Sequence, residues 1–299
     1  MTTRSTHSCR PVLPALFALL LVLGCGEGAT PPGGDSGGHS LGPSSVVDVA
    51  WLSQRLGDSG VQIVDARTQA TEFEAGHIPG ALRLDPFELA ADVGGILAQI
   101  SPPAAAGPIL RERGVRAGTT AVVYGKAPEY DPARVAWALL YYGHDDVRYL
   151  DGGWEAWEAS GQPIETGPSD EPASSYQPDG PVAAIRVTGD WILDRLGDSS
   201  LQIVDVRSPE EYAAGHIPGS SHIRWSTNLE DGFLKSREEI DALHAGLDKS
   251  TTTVVYCTAG WRASFSWITM QWLGFEDVRI YDGSWIEWGA GGRFPIEAG

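Results

Sequence analysis

The residues best suited to chemistry are 257–262, which read C-T-A-G-W-R. The β-branched and aromatic run at 254–256 predicts a buried strand before them, and the apolar periodicity from Ala263 onward predicts a helix after them. A turn between a strand and a helix leaves backbone N–H groups without intrahelical partners, at the positive end of the helix. Such a loop binds an anion and favours a thiolate over a thiol, so the sequence predicts that Cys257 is a nucleophile.

Cys257 is the one cysteine of the chain that lies outside the predicted signal segment. The chain has three cysteines, and both Cys9 and Cys25 lie in a segment that we predict to be removed or modified. An exported protein usually pairs its cysteines in disulfides, so a single one left over indicates a reactive thiol. The alternative is that Cys257 is a small buried hydrophobe, as most free cysteines are.

The amino-terminal segment, 1–25, has the pattern of a lipoprotein-type signal peptide. A positive start precedes an apolar run at 12–23 that is too short to span a bilayer. The run closes at 21–25, L-V-L-G-C, which resembles the lipobox of bacterial lipoproteins, although that motif prefers leucine where this chain has Val22. The resemblance implies that Cys25 is lipidated and anchors the protein in the cell envelope, facing the periplasm or exterior. Cleavage elsewhere, as in a plain signal peptide, is the alternative.

Composition narrows the class of protein and its partners. The 299 residues, of which 42% are apolar, are enough for two domains with their own cores. The formal charge of −18 argues against a nucleic-acid partner and against electrostatic binding to anionic lipid. Residues 26–45 are rich in glycine, proline and serine and predict a flexible tether between the anchor and the first domain.

The chain contains two copies of one unit. The matching segments, first copy then second, are 51–58 with 191–198, 63–67 with 203–207, 75–80 with 214–219, and 150–154 with 281–285. These matches indicate a tandem duplication. Each copy reads helix, strand, short helix, turn, long irregular stretch, strand, loop, helix, strand. This order predicts an α/β fold in which each copy forms a mainly parallel sheet with helices on both faces.

A stretch rich in proline and other turn formers separates the two copies. We therefore predict one domain at 46–166, a linker at 167–181 and a second domain at 182–299. Asp48 and Thr188 occupy equivalent positions, where the first helix of each copy needs an N-cap.

The two copies differ at the predicted nucleophile. The first copy has Gly125 where the second has Cys257, and its loop at 126–132 contains two prolines and two acids. Proline has no N–H to donate, and the acidic side chains would repel an anion. The sequence therefore predicts that the first domain is catalytically inactive and the second catalytic.

The pattern as a whole resembles the rhodanese family of sulfurtransferases, in the tandem form with an inactive first domain. Three segments carry the resemblance: the strand at 203–207, the segment E-Y-A-A-G-H-I-P-G-S at 211–220, and the loop at 257–262. Dual-specificity phosphatases that share the fold have five residues between cysteine and arginine, whereas this loop has four. The shorter loop resembles the sulfur-accepting type, with phosphatase or arsenate-reducing activity as the alternative.

The resemblance implies a role for each loop residue. Cys257 would attack a sulfane sulfur and carry it as a persulfide, while backbone N–H groups stabilise the sulfur anion. Gly260 would allow the turn, and Arg262 and Arg207 would hold the anionic part of the donor. The substrate-binding residues that we predict in this way are Arg207, Thr258, Ala259, Gly260, Trp261 and Arg262.

For several other residues near these segments the sequence indicates less specific roles. For Arg207 an ion pair with a neighbouring carboxylate is an equal alternative. We expect Asp205 and His216 to be structural, because the inactive copy retains both. Glu211 and Arg224 belong to the same surface and could line the mouth of the site. Trp261 must face either the pocket or the solvent, and Trp225 and Trp285 are more typical of core or rim.

The loop also bears on the choice of donor. Well-known thiosulfate enzymes of the family resemble C-R-K-G-V-T and mercaptopyruvate enzymes resemble C-G-S-G-V-T, whereas this chain has one cation, Arg262, as in bacterial tandem proteins that read C-x-x-G-x-R. We expect thiosulfate as donor, because its charge lies beside the reacting sulfur, and cyanide or a thiol as acceptor. We expect a monomer, with no metal or cofactor. The alternatives are a persulfide carrier or binding module, and a 3-mercaptopyruvate sulfurtransferase.

Overall fold

A computed structural model describes residue 1 and residues 41–298. The predicted signal peptide beyond its first residue, the lipidation site Cys25 and most of the predicted tether lie outside the described residues. No helix of the described part is long and apolar enough to cross a membrane. The tether prediction was wrong at its end, because Gly42–Ser45 form a 3-10 helix whose last residue is buried.

The first copy forms a five-stranded sheet with strand order β1-β7-β6-β2-β3, in which all neighbouring strands are parallel. Its strands and helices, in chain order, are β1 (Val46–Val47), α1 (Val49–Ser53), β2 (Val61–Asp65), α2 (Ala70–Ala75), β3 (Ala81–Arg83), β4 (Ala90–Val93), β5 (Ile96–Ile100), α3 (Pro103–Glu112), β6 (Thr120–Tyr124), α4 (Asp131–Tyr141), β7 (Asp146–Leu150) and α5 (Gly153–Ala159). Strands β4 and β5 form a separate antiparallel hairpin.

The second copy repeats this arrangement, with strand order β10-β9-β13-β14-β8 and parallel neighbours throughout. Its elements are β8 (Arg186–Val187), α6 (Gly189–Leu193), β9 (Leu201–Asp205), α7 (Pro209–Ala214), β10 (Ser221–His222), β11 (Leu229–Glu230), β12 (Phe233–Leu234), α8 (Arg237–Leu243), β13 (Thr252–Tyr256), α9 (Trp261–Leu273), β14 (Val278–Tyr281) and α10 (Ser284–Trp288). Strands β11 and β12 form its hairpin.

Both faces of each sheet are buried, which confirms the predicted fold class. Side chains alternate along a strand, so neighbouring residues belong to different packing layers. Ile63 packs in a cluster with α1, α2 and α5, while Val64 packs in another with α3 and α4. The second copy has the same division between Ile203 and Val204. Burial on two faces explains why the central strands read as continuous apolar runs.

The predicted helix caps are confirmed in both copies. The Asp48 carboxylate accepts from the Trp51 N–H at 2.7 Å, and the Thr188 hydroxyl accepts from the Trp191 N–H at 3.2 Å. Each cap pairs one of the N–H groups that a helix start leaves open.

The two copies share one buried core. Helices α4 and α9, which follow the equivalent loops, pack against each other, and the rings of Tyr149 and Phe265 meet edge to face with centroids 5.8 Å apart. The hairpin of each copy also binds the other: Ile100 N–H donates to Asp282 at 2.8 Å, and Leu234 N–H donates to Asp151 at 2.9 Å. The stretch that we expected to be irregular therefore contains the elements that join the copies.

Candidate active site

The loop after β13 places Cys257 at the bottom of a narrow turn. Gly260 has φ +79°, a left-handed conformation that glycine adopts without strain. A Cβ at this position would also lie 2.6 Å from the Asp282 Oδ1 atom. Helix α9 begins at Trp261, two residues before the predicted start at Ala263, because the turn is completed within the loop itself.

The backbone of this loop is open to a ligand. In the described part of the chain, the N–H groups of Thr258, Ala259 and Gly260 have no acceptor, and the first turn of α9 adds the unpaired groups that any helix start presents. The Cys257 N–H donates to the Ser284 hydroxyl at 3.2 Å, and the Cys257 carbonyl accepts from Trp285 N–H at 3.0 Å. The start of α10 thus fixes the backbone of Cys257, while the N–H groups of the next three residues remain free, within the described residues, to bind a ligand. This arrangement is suited to an anion.

Arg262 is bound by a carboxylate that the loop does not contain. Its Nη1 and Nη2 atoms lie 2.8 Å from the two oxygens of Glu211, and the Thr258 hydroxyl donates to the same carboxylate at 2.8 Å. The hydrogen bonds from Arg262 hold the pKa of Glu211 at about 2. Glu211 in turn raises the pKa of Arg262, with a smaller contribution from Cys257. Arg262 therefore lies close to Cys257, as predicted, but its charge is already paired.

Arg207 is not brought to the loop. Its side chain is 1% exposed, its Nη2 atom lies 2.6 Å from both the Asp205 carboxylate and the Gly215 carbonyl, and its guanidinium stacks over Trp285. Arg67 has the same partners in the first copy. The structure therefore favours the ion-pair interpretation over donor binding.

Of the other residues singled out in the sequence, Asp205 and His216 are buried and Arg224 is exposed. His216 is buried, stacks on Tyr212 with ring centroids 3.8 Å apart, and contacts the Tyr212 carbonyl through Nδ1 at 3.0 Å. With Asp205 bound to Arg207, both residues are structural, as expected. Arg224 is exposed and does not line the pocket.

The first copy supplies part of the wall around Cys257. A cavity of about 570 Å³ is lined by Phe87, Ala98, Tyr130, Cys257, Thr258, Ala259, Trp261 and Arg262. Trp261 faces this cavity: its Nε1 donates to the Ala98 carbonyl at 3.2 Å, and its ring lies 4.6 Å from that of Phe87. Burial raises the pKa of Tyr130, on which the charges of Arg262 and Cys257 also act.

Sequence reasoning missed the three residues of the first copy that line this cavity, Phe87, Ala98 and Tyr130. A signal for Ala98 was present, because Gly94-Gly95 between two apolar segments is a typical hairpin turn. Asp231-Gly232 marks the equivalent hairpin in the second copy. No such local signal shows that the hairpin reaches the other copy.

The equivalent loop of the first copy is closed to an anion. Its Ala127 N–H donates to the Glu155 carboxylate at 2.8 Å, and Lys126 is ion-paired with Glu72. The second copy has Ile286 at the position of Glu155, so no carboxylate enters its loop there. Among the described residues, no cluster of three or more His, Cys, Asp or Glu side chains is arranged to bind a metal.

Comparison with known proteins agrees with this architecture. The model of the rhodanese-like domain matches the chain twice, at residues 48–160 and 188–290. The chain belongs to the rhodanese family. Because relatives 34% identical over most of their length are named thiosulfate sulfurtransferases, it is an enzyme of the sulfurtransferase type.

One sequence relative and two solved structures show which sulfurtransferases and rhodanese folds the chain is similar to. The chain is 34% identical over 283 aligned positions to a thiosulfate sulfurtransferase of Corynebacterium glutamicum, with 86% of this chain and 91% of the relative covered. The structure of the 3-mercaptopyruvate sulfotransferase SseA from Escherichia coli superposes with a TM-score of 0.75 at 26% identity, over 81% of this chain and 99% of the other. The structure of YnjE gives a TM-score of 0.76 at 26% identity, over 85% and 68%.

Proposed function

We propose that the enzyme transfers a sulfane sulfur from thiosulfate to a thiophilic acceptor through a persulfide on Cys257. The observation that carries the proposal is the open loop, in which Cys257 is followed by three N–H groups that have no acceptor among the described residues. The relative from Corynebacterium glutamicum, named a thiosulfate sulfurtransferase, supports the choice of donor.

The reaction needs two displacements at sulfur. The Cys257 thiolate attacks the outer sulfur of thiosulfate, the S–S bond breaks, and sulfite leaves with the bonding electron pair. Cyanide or a thiolate then attacks the outer sulfur of the persulfide and releases the Cys257 thiolate. The loop N–H groups stabilise the anionic sulfur in both steps, and the paired Arg262 orients the sulfonate end of the donor.

Mass spectrometry and kinetics test the proposal together. Thiosulfate treatment of the full chain should add one sulfur atom, and Cys257→Ser should add none and show no turnover, because a serine hydroxyl is not ionised at neutral pH. Gly125→Ala, the matched change in the first copy, should leave the adduct intact. Absence of the adduct in the wild type, or turnover by the serine variant, would contradict the mechanism.

The donor is tested by comparing kcat/KM for thiosulfate and 3-mercaptopyruvate. We expect thiosulfate to be preferred, because its charge lies next to the reacting sulfur and so close to the loop. The same measurement on Arg262→Ala should show a loss of kcat/KM for thiosulfate. A preference for mercaptopyruvate would overturn the assignment of the donor, although not the sulfurtransferase class.

We further propose that Cys25 carries a lipid and anchors the enzyme in the cell envelope. The L-V-L-G-C motif and the glycine-rich stretch that follows support this proposal. The wild type should appear in the membrane fraction, and Cys25→Ala should appear as a soluble or unprocessed form. A wild-type protein found free in the periplasm would refute the anchor.

A further inference from the structure

The charge of Arg262 is cancelled before any donor arrives. Of the described residues that line the cavity, Arg262 is the one with a basic side chain, and both of its terminal nitrogens are hydrogen-bonded to Glu211. An anionic donor that uses Arg262 must therefore share it with Glu211 or displace that carboxylate.

Glu211 cannot easily move away from this contact. Its carboxylate also accepts from the Ser208 N–H at 3.0 Å, and its own N–H donates to the Ser208 hydroxyl at 3.2 Å, which together form the capping box of α7. The hydroxyl of Thr258, the loop residue after the nucleophile, binds the same carboxylate. The capping box of α7 thus holds the negatively charged Glu211 carboxylate in contact with Thr258 and Arg262 of the loop.

The equivalent residue of the first copy provides an internal comparison. Glu72 occupies the position of Glu211 on α2 and pairs with Lys126 of the closed loop. The two copies therefore place a carboxylate at the same point, but only that of the second copy binds residues, Thr258 and Arg262, that line a cavity containing a cysteine. Neutralising each carboxylate in turn separates a local effect at the site from a general effect of charge.

We propose that Glu211 is a specificity-determining residue that weakens the binding of anionic donors by neutralising Arg262. With Glu211 in place, an anion gains from the loop N–H groups but little from the arginine. Without its charge, Arg262 attracts the donor with a full positive charge, and a dianion gains more than a monoanion. This inference rests on the proposed function, because it assumes that the donor is an anion such as thiosulfate.

The experiment is steady-state kinetics of Glu211→Gln on the full chain. Glutamine preserves the shape of the residue and a capping acceptor while removing its charge. The KM for thiosulfate should fall about three- to tenfold with a smaller change in kcat, and the fall should be smaller for the monoanion 3-mercaptopyruvate. Raising the ionic strength should reduce the gain, since the site is open to solvent.

Two matched variants complete the series. Glu211→Asp retains the charge, so its KM should stay above that of Glu211→Gln. Glu72→Gln removes one charge from the equivalent position of the first copy and should leave the KM unchanged. A KM for Glu211→Gln that rises or does not change would overturn the proposal and show that Glu211 only holds Arg262 in place.

A binding measurement tests the role of Glu211 independently of the proposed sulfur transfer through Cys257. In a Cys257→Ser background, which cannot turn over, calorimetric titration should show tighter thiosulfate binding when Glu211→Gln is added. Equal or weaker binding in the double variant would overturn the inference. If the wild type transferred no sulfur from any donor, the proposed function would fail, but the titration would still decide the role of Glu211.

Discussion

Arg207 and Arg262 carry the same charge, and the fold gives them different partners. Arg207 follows the end of β9, and Arg262 lies in the first turn of α9. Both were candidates for holding the donor, with an ion pair as an equal alternative for Arg207. Arg207 is enclosed with Asp205, whereas Arg262 lies at the cavity and is paired with Glu211. The D-x-R spacing within one strand end could have identified the first pair, and its repetition as Asp65 and Arg67 strengthened the structural alternative. The second pair joins residues 51 positions apart and had no local signal.

The burial of Arg207 leads to a prediction about stability. Arg207→Met should lower the free energy of unfolding by about 3–5 kcal/mol, because it leaves the Asp205 carboxylate buried without its partner. Urea unfolding measures the loss, and kcat/KM per folded molecule should stay near the wild-type value. Arg67→Met, in the first copy, should destabilise by a similar amount. A variant with normal stability and no activity would instead place Arg207 in the donor site.

At the scale of elements, the strands, the loop and the helix caps were predictable because each has a local pattern. Residues 254–256 are β-branched or aromatic, and Asp48 and Thr188 precede the helices that they cap. The hairpins were missed because their strands are short, although their glycine turns are visible. Their function lies in contacts with the other copy, and such contacts depend on packing between distant segments, which no local pattern reports.

Helix α4 of the first copy contributes a charge to the half that contains Cys257. Its Arg134 lies 2.8 Å from the buried carboxylate of Asp282, which in turn abuts Gly260 in the active loop. The equivalent residue of α9 is Phe265, so the second copy provides no such cation to the first. The Cys257 loop is thus supported, through Asp282, by a helix of the copy that lacks the cysteine.

We therefore predict that Arg134→Met lowers both stability and kcat. The loss of a partner for a buried carboxylate should cost about 3 kcal/mol in unfolding free energy, and the displaced Asp282 should disturb the loop turn at Gly260. Unfolding curves and thiosulfate turnover measure the two effects. Arg237→Met, which removes an exposed cation of the second copy, is the control and should change neither. Full activity in Arg134→Met would show that the loop does not depend on this contact.

At the scale of the whole molecule, the two copies share one buried core within the described residues. The cluster around α4 and α9 contains buried side chains from both copies, so neither copy can open without exposing the other. The duplication itself was predictable from the repeated segments. The extent of the shared core was not, because both helices read simply as apolar and gave no indication of their partner.

A single unfolding transition is the consequence that can be measured. Leu139 is fully buried in this shared core, in the first copy. Leu139→Ala should destabilise by about 2–5 kcal/mol and move the whole transition, so that calorimetry still shows one peak and activity disappears at the same midpoint. Val49→Ala, at a partly buried position outside this core, should have a much smaller effect. Two separate peaks in the calorimetric trace would contradict the shared core.

Because the hairpin of each copy binds the other copy, the two halves of the chain are arranged like the two subunits of a heterodimer. The loop of the first copy also shares a cavity with the opposite copy, lined by Ala127, Gly232 and Phe233, so a symmetrical ancestor with two cysteines would have had two composite sites. Loss of one cysteine from such a pair removes one site and leaves the other complete, because the half that lost its nucleophile still provides the wall. The same geometry explains why the copy without the cysteine cannot simply be deleted: its removal would take Phe87, Ala98 and Tyr130 away from the Cys257 cavity.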